Sequence, residues 1–128
     1  MNKFHKNIHI LVVDDEEIMR NFLSDMLRDE GYEVQAVASG EEGINLLQKS
    51  DFDLVVTDLK MPGFSGIDVL KAVKQQNSNT YVIMITGYAS VETAVESMKL
   101  GAVDYITKPF EMDQIKNVIR VTLEKAKK

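Results

Sequence analysis

Five side chains of this sequence could do chemistry together: Asp14, Asp15, Asp58, Thr86 and Lys108. Three carboxylates brought to one place repel one another and raise one another's pKa until a cation joins them. Hard oxygen donors in a phosphate-handling site select Mg2+, which keeps several of its waters. A lysine ammonium is a mobile point charge for a phosphoryl oxygen. A threonine hydroxyl can donate a hydrogen bond to the same group. A carboxylate not consumed by metal can attack phosphorus and become an aspartyl phosphate. The set therefore points to in-line phosphoryl transfer, with metal and lysine neutralising the charge that builds on the oxygens. Each member alone has a plainer reading. Asp14 and Asp15 could cap a helix, Asp58 could be a turn residue, Thr86 a strand end, and Lys108 a solvated lysine before Pro109. The argument needs all five at one edge of a scaffold.

The scaffold is legible as alternating segments. Short apolar runs occupy Ile8–Val13, Glu33–Val37, Asp53–Thr57, Tyr81–Ile85 and Val103–Ile106. Several are nearly continuous and rich in Val and Ile, as strands buried on both faces of a parallel sheet should be. Between and after them comes helical spacing. Ile18, Phe22, Met26 and Leu27 share one face; Val91, Ala94, Val95 and Met98 share another; Met112, Ile115, Ile119 and Leu123 share a third. Ser39 with Glu42 and Ser65 with Asp68 read as capping boxes, and Ser90 as an N-cap. Gly31 and Gly101 stand where helices should end. Lys125, Lys127 and Lys128 suit the negative end of the last helix dipole.

Strand and helix thus alternate five times, which predicts an α/β fold with a doubly wound, five-stranded parallel sheet and right-handed crossovers. In such sheets ligands bind beyond the carboxyl ends of the strands. Asp14 and Asp15 follow the first strand, Asp58 ends the third, Thr86 the fourth, and Lys108 follows the fifth. The second ends in Ala36, Val37 and Ala38, as an outlying strand would.

Composition narrows the field further. The chain has 128 residues, 15 Lys+Arg against 20 Asp+Glu, no Cys and no Trp. One domain of this size buries roughly two-thirds of its unfolded surface, enough for a core without disulfides or zinc. A net charge of −5 argues against a nucleic-acid surface on this domain. No apolar run reaches the ~18–20 residues of a membrane span. The polar N-terminus lacks a signal-peptide core, and a cytoplasmic setting is expected. Residues 1–7 read as a polar tail, 8–124 as the folded domain, and 125–128 as a basic end that could begin a linker.

The stretches Leu11-Val-Val-Asp-Asp-Glu16, Asp53-Leu-Val-Val-Thr-Asp-Leu-Lys-Met-Pro-Gly63, Val82-Ile-Met-Ile-Thr-Gly87 and Gly101-Ala-Val-Asp-Tyr-Ile-Thr-Lys-Pro-Phe110 carry a family likeness. From about Ile8 to Leu123 the chain resembles the receiver domains of two-component response regulators, the CheY-like, flavodoxin-like fold with strand order 2-1-3-4-5. The resemblance implies that Asp58 accepts a phosphoryl group from a sensor histidine kinase. It implies that Asp14, Asp15, Asp58 and the backbone carbonyl of Lys60 hold Mg2+, with Asp15 a more direct ligand than Asp14. Thr86 would be the switch hydroxyl, Lys108 the phosphoryl-binding lysine and Tyr105 the switch aromatic, and the Lys108–Pro109 peptide would be cis. An output face on the fourth helix, fifth strand and fifth helix would include Tyr88, Val91, Met98 and Tyr105. The run Thr86-Gly-Tyr-Ala-Ser-Val-Glu-Thr-Ala-Val95, with Met98-Lys-Leu-Gly-Ala102, looks most like receivers of NtrC-like transcriptional activators. Those continue into ATPase and DNA-binding domains that this sequence lacks. Catalysis would be confined to the domain's own aspartate. The sequence leaves open the kinase, the output domain and whether the phosphorylated form becomes a homodimer.

Other readings fare worse. A Mg2+-dependent phosphatase of this class carries a second Asp two residues after the nucleophile, and here that residue is Lys60. That lysine could instead alter water access to an acyl phosphate. A flavin module needs a phosphate-cradling loop after the first strand, where this chain has Asp14, Asp15, Glu16 and Glu17. A receiver that binds partners without phosphorylation would not need all five site residues. His5 and His9 have i, i+4 spacing but no third ligand for zinc. Neither a G-x-x-x-x-G-K-[ST] loop nor a G-x-G-x-x-G turn is present.

Overall fold

The computed structural model describes residues 7–76 and 79–125. His5, most of the expected tail and the last three residues of the basic end lie outside them. In chain order the elements are β1 (His9–Val13), α1 (Glu17–Asp29), β2 (Glu33–Val37), α2 (Gly40–Lys49), β3 (Leu54–Asp58), α3 (Gly66–Gln76), β4 (Tyr81–Thr86), α4 (Val91–Lys99), β5 (Asp104–Thr107) and α5 (Met112–Lys125). All four strand pairings are parallel, and the order across the sheet is β2-β1-β3-β4-β5. The expected doubly wound α/β sheet is thus the observed one. β3 and β5 lie one residue further along the chain than the apolar runs suggest, and β4 runs one residue further. Asp58 and Thr86 are therefore the last rungs of their strands, opposite Ile85 and Thr107.

Strand alternation divides the core in two. Ile10, Val12, Leu54, Val56, Ile83, Ile85 and Ile106 point to one side, where Leu23, Met26 and Leu27 of α1 and Ile115, Ile119 and Leu123 of α5 meet them. Leu11, Val13, Val55, Val82 and Met84 point to the other, against Val69, Leu70 and Val73 of α3. Fully burying a Leu, Ile or Val stabilises by about 1.5–3 kcal/mol, so both layers hold the sheet's edge in place.

Helix ends follow the sequence signals. Ser39 and Ser90 accept from the amides of Glu42 and Thr93, and Ser65 and Asp68 exchange bonds in a full capping box. After α1 and α4, Gly31 and Gly101 take positive φ. The bonds Tyr32 N–H to Leu27 C=O and Ala102 N–H to Ser97 C=O close Schellman turns there. Gly66 is required by space, because a Cβ there would collide with the Asp58 carbonyl. α3 can then start directly against the strand that carries Asp58.

Three helices leave part of their apolar stripe outside the core. Ile18 is 86% exposed, and α1 buries Leu23 instead. Met112 is half-exposed, while the rest of the α5 face is buried. In α4 three of the four stripe residues, Val91, Val95 and Met98, point outward, and Ala94 is half-buried. The inner side of the helix is Thr93, Ala94, Ser97 and Leu100, of which only Ser97 is fully buried. Periodicity shows that a helix has an apolar face but not what that face meets.

Candidate functional site

The five residues meet at the carboxyl edge of the sheet. Asp14 follows β1 and is 1% exposed. One of its carboxylate oxygens accepts from the Glu16 amide at 2.8 Å. Its other oxygen lies 3.2 Å from Lys108 Nζ. Its carbonyl accepts from the Arg20 guanidinium at 2.9 Å. Asp58, 7% exposed, lies 3.4 Å from the same ammonium and accepts from the Lys60 amide at 3.4 Å. Asp15 is exposed on the rim of the cleft. One oxygen from each of Asp14, Asp15 and Asp58 falls within a group spanning 4.8 Å.

Lys108 reaches across from the turn after β5, whose backbone is fixed by Lys108 N–H donating to the Thr86 carbonyl at 2.8 Å. The Lys108–Pro109 peptide is cis. The ammonium also touches Glu16, at 3.4 Å. Burial pulls the lysine's pKa down, but the carboxylates of Asp14 and Asp58 outweigh it and leave it above the ordinary value. Burial also pushes Asp14 above the usual carboxylate range, although the Glu16 amide and Lys108 oppose it. Asp58 is likewise raised, first by burial and then by Asp14, against the pull of Lys108. The edge therefore holds more buried negative charge than Lys108 neutralises. Clustered hard oxygens with surplus charge are the donor chemistry of a small divalent cation.

Thr86 ends β4 fully buried, and its hydroxyl accepts from the Tyr88 amide at 2.9 Å. Tyr105 is half-buried on β5, and its hydroxyl lies 2.6 Å from that of Thr93. The Ser90 amide also donates to it, at 3.4 Å. Tyr88 is exposed, and the Lys60 ammonium lies 4.8 Å from its ring centroid. Val91 and Met98 are exposed on α4.

Sequence reasoning did not find Glu16, Arg20 or Thr93 as partners. Glu16 stands beside the Asp pair, but its partner is 92 residues away. Arg20 and Thr93 read as ordinary helix residues. His9 pairs with Glu33 at 3.6 Å on the opposite edge of the sheet. Among the described residues, only the three aspartates form a group able to hold a metal ion.

Comparison with known proteins agrees with this architecture. Residues 10–120 match the family described as response regulator receiver domain. The transcriptional regulatory protein ZraR of Escherichia coli K12 is 43% identical over 122 residues, covering 95% of this chain and 27% of the relative. The chain thus spans about a quarter of the length of that relative. A CheY-like receiver domain protein from Methanospirillum hungatei superposes with a TM-score of 0.92 at 32% identity, covering 95% of this chain and 98% of that one. The beryllofluoride-activated NtrC4 receiver domain dimer superposes with a TM-score of 0.86 at 33% identity, covering 92% and 98%. The chain belongs to the response regulator receiver domains and is closely related to receivers of the NtrC and ZraR type.

Proposed function

We propose that Asp58 is the phosphoacceptor of this receiver and that a histidine kinase is its donor. The observation that carries the reading is the single Lys108 ammonium set between the buried Asp14 and Asp58 carboxylates, at 3.2 and 3.4 Å. An Asp58 oxygen attacks phosphorus in line with the donor's imidazole nitrogen. The O–P bond forms as the N–P bond breaks, and the electron pair leaves on the imidazole. Lys108 then meets a phosphoryl oxygen in place of the Asp58 carboxylate. Asp14, Asp15, Asp58 and the Lys60 carbonyl would hold Mg2+, which when bound supplies positive charge against the transferring oxygens. The reaction of the domain is confined to its own aspartate, as in receivers generally.

The Thr86 hydroxyl accepts from the Tyr88 amide, which leaves its own proton free to donate to a phosphoryl oxygen. Turning toward that oxygen would pull on the turn leading into α4. Tyr105 would follow inward by leaving Thr93, changing the surface formed by Tyr88, Val91, Met98 and Tyr105. This face would contact an output domain, of the ATPase and DNA-binding kind, or a second phosphorylated copy. Residues 8–124 would form the receiver, and 125–128 the approach to the output region. Among the described residues no helix is long and apolar enough to cross a membrane.

The test is intact mass after incubation with acetyl phosphate and Mg2+. One phosphoryl adduct is expected, absent in Asp58→Asn and absent with chelator. An adduct that persists in Asp58→Asn would move the acceptor elsewhere.

A further inference from the structure

Among the described residues three helical hydroxyls are buried: Ser24 in α1, Thr122 in α5 and Ser97 in α4. Ser24 donates to the Arg20 carbonyl and Thr122 to the Val118 carbonyl, both at 2.7 Å and both one turn back. The corresponding acceptor for Ser97 is the Thr93 carbonyl, and no such bond forms. Ser97 is 0% exposed, and among the described residues its hydroxyl is the buried side-chain oxygen without any partner. A buried hydroxyl that loses water and gains nothing raises the free energy of the state that holds it. Alanine in the same space would lack that penalty and would favour the helix more.

The surroundings make this position consequential. α4 has no fully buried apolar residue, so little hydrophobic area opposes its movement. Its amino end is fastened to β5 by the Tyr105 hydroxyl, through Thr93 and the Ser90 amide. We propose that the orphaned Ser97 hydroxyl is a built-in bias against the resting seat of α4, offsetting the Tyr105 fastening. Ser97 is then a positioning residue for the response to phosphorylation. Any displacement that brings its hydroxyl to water or to an acceptor relieves the penalty, so phosphorylation has less to overcome. The inference rests on the reading that phosphoryl binding at Asp58 moves α4.

The experiment titrates the chain with beryllofluoride and Mg2+ while following backbone amide shifts of α4, beside thermal unfolding without either. Ser97→Ala should raise the unfolding temperature of the free chain. It should also move the beryllofluoride midpoint to concentrations higher by about fivefold or more, because the resting seat has become more stable. Ser24→Ala, which removes a hydroxyl that is bonded, should lower the unfolding temperature and leave the midpoint unchanged. A Ser97→Ala chain that unfolds at a lower temperature than the parent overturns the proposal. So does one that is stabilised but has the parent's midpoint, since the hydroxyl then penalises both states alike. If beryllofluoride binds the parent chain and α4 amides do not respond, the underlying switch reading fails and the bias with it. A parent that responds beside an indifferent Ser97→Ala defeats the bias alone.

Discussion

α4 and α5 are neighbours in sequence, separated by β5, and each has an apolar stripe at helical spacing. α5 turns its stripe inward, burying Ile115, Ile119 and Leu123 in the layer shared with α1. α4 turns Val91, Val95 and Met98 outward and rests on Thr93, Ala94, Ser97 and the half-buried Leu100. One helix is held by apolar area, which is non-directional and indifferent to what happens at Asp58. The other is held by capping bonds and by the Tyr105 hydroxyl, which are directional and can be exchanged. A switch needs the second kind of attachment where it moves and the first kind where it must not.

The sharpest way to break that contrast is to truncate each helix. Ile119→Ala should lose about 2–5 kcal/mol of unfolding free energy, the usual result of emptying a packed site. Val95→Ala should change it by no more than about 0.5 kcal/mol. Urea unfolding measures both, and comparable losses would mean that α4 is anchored by apolar burial after all.

A smaller effect separates the charged edge from the apolar layer. Asp58 and Asp14 are raised above the usual carboxylate range mainly by burial. With a raised native pKa, the native state binds more protons than the unfolded chain once pH exceeds the ordinary value of 3.8. The carboxylate's contribution to stability therefore falls as pH climbs from there through the native pKa, and stays low at neutral pH. Asp58→Asn should match the parent near pH 3.5 and be the more stable of the two at pH 7 without Mg2+. Mg2+ should shrink the gap. Ile119→Ala should lower the whole pH curve without changing its shape. Lys108 has the same sense in a different window: its raised pKa gives a contribution present below 10.5 and lost above its native value. An Asp58→Asn chain no more stable than the parent at pH 7 would show that Lys108 already satisfies the edge.

These differences also mark what the sequence could reveal. The β1, β3 and β4 runs are nearly continuous in hydrophobe because both faces are covered, and the polar residue at or just past the carboxyl end of each is conspicuous against them. That is why Asp14, Asp58 and Thr86 could be read as one edge. The outward turn of α4 could not be read from periodicity, since Val91, Ala94, Val95 and Met98 repeat as a core stripe would; only the family resemblance put Val91 and Met98 on an outer face. Rotation about a helix axis is decided by what the sheet offers, and Gly101 and Ser90 fix only the ends. Ile18 misleads for the same reason. Partnerships such as Glu16 with Lys108 and Thr93 with Tyr105 join distant residues with no periodicity to announce them.

A subtler cut goes through the fastening itself. Tyr105→Phe keeps the ring and removes the oxygen that meets Thr93 and the Ser90 amide. Hydrogen exchange of α4 amides should quicken by roughly five- to tenfold, corresponding to one neutral hydrogen bond, while α5 amides keep their protection. Equal loosening of both helices would deny α4 its separate attachment.

The smallest effect concerns the turn into α4. Lys60 follows Asp58 by two residues and reaches the ring of Tyr88, which follows Thr86 by two, so the pair bridges the cleft beside the acceptor. Exposed cation–π pairs contribute about 0.5–1 kcal/mol. Neither Lys60→Ala nor Tyr88→Ala should therefore change unfolding by more than that. The pair matters through what it covers. Opening it admits water to the acyl phosphate, so either variant should shorten the phosphoryl lifetime by about two- to fivefold, the kinetic equivalent of that energy. Loss of phosphoryl adduct with time, followed by intact mass, provides the rates. The double variant should be no faster than the faster single one, because the bridge can be removed only once. Additive effects would mean that Lys60 and Tyr88 shield Asp58 independently of one another.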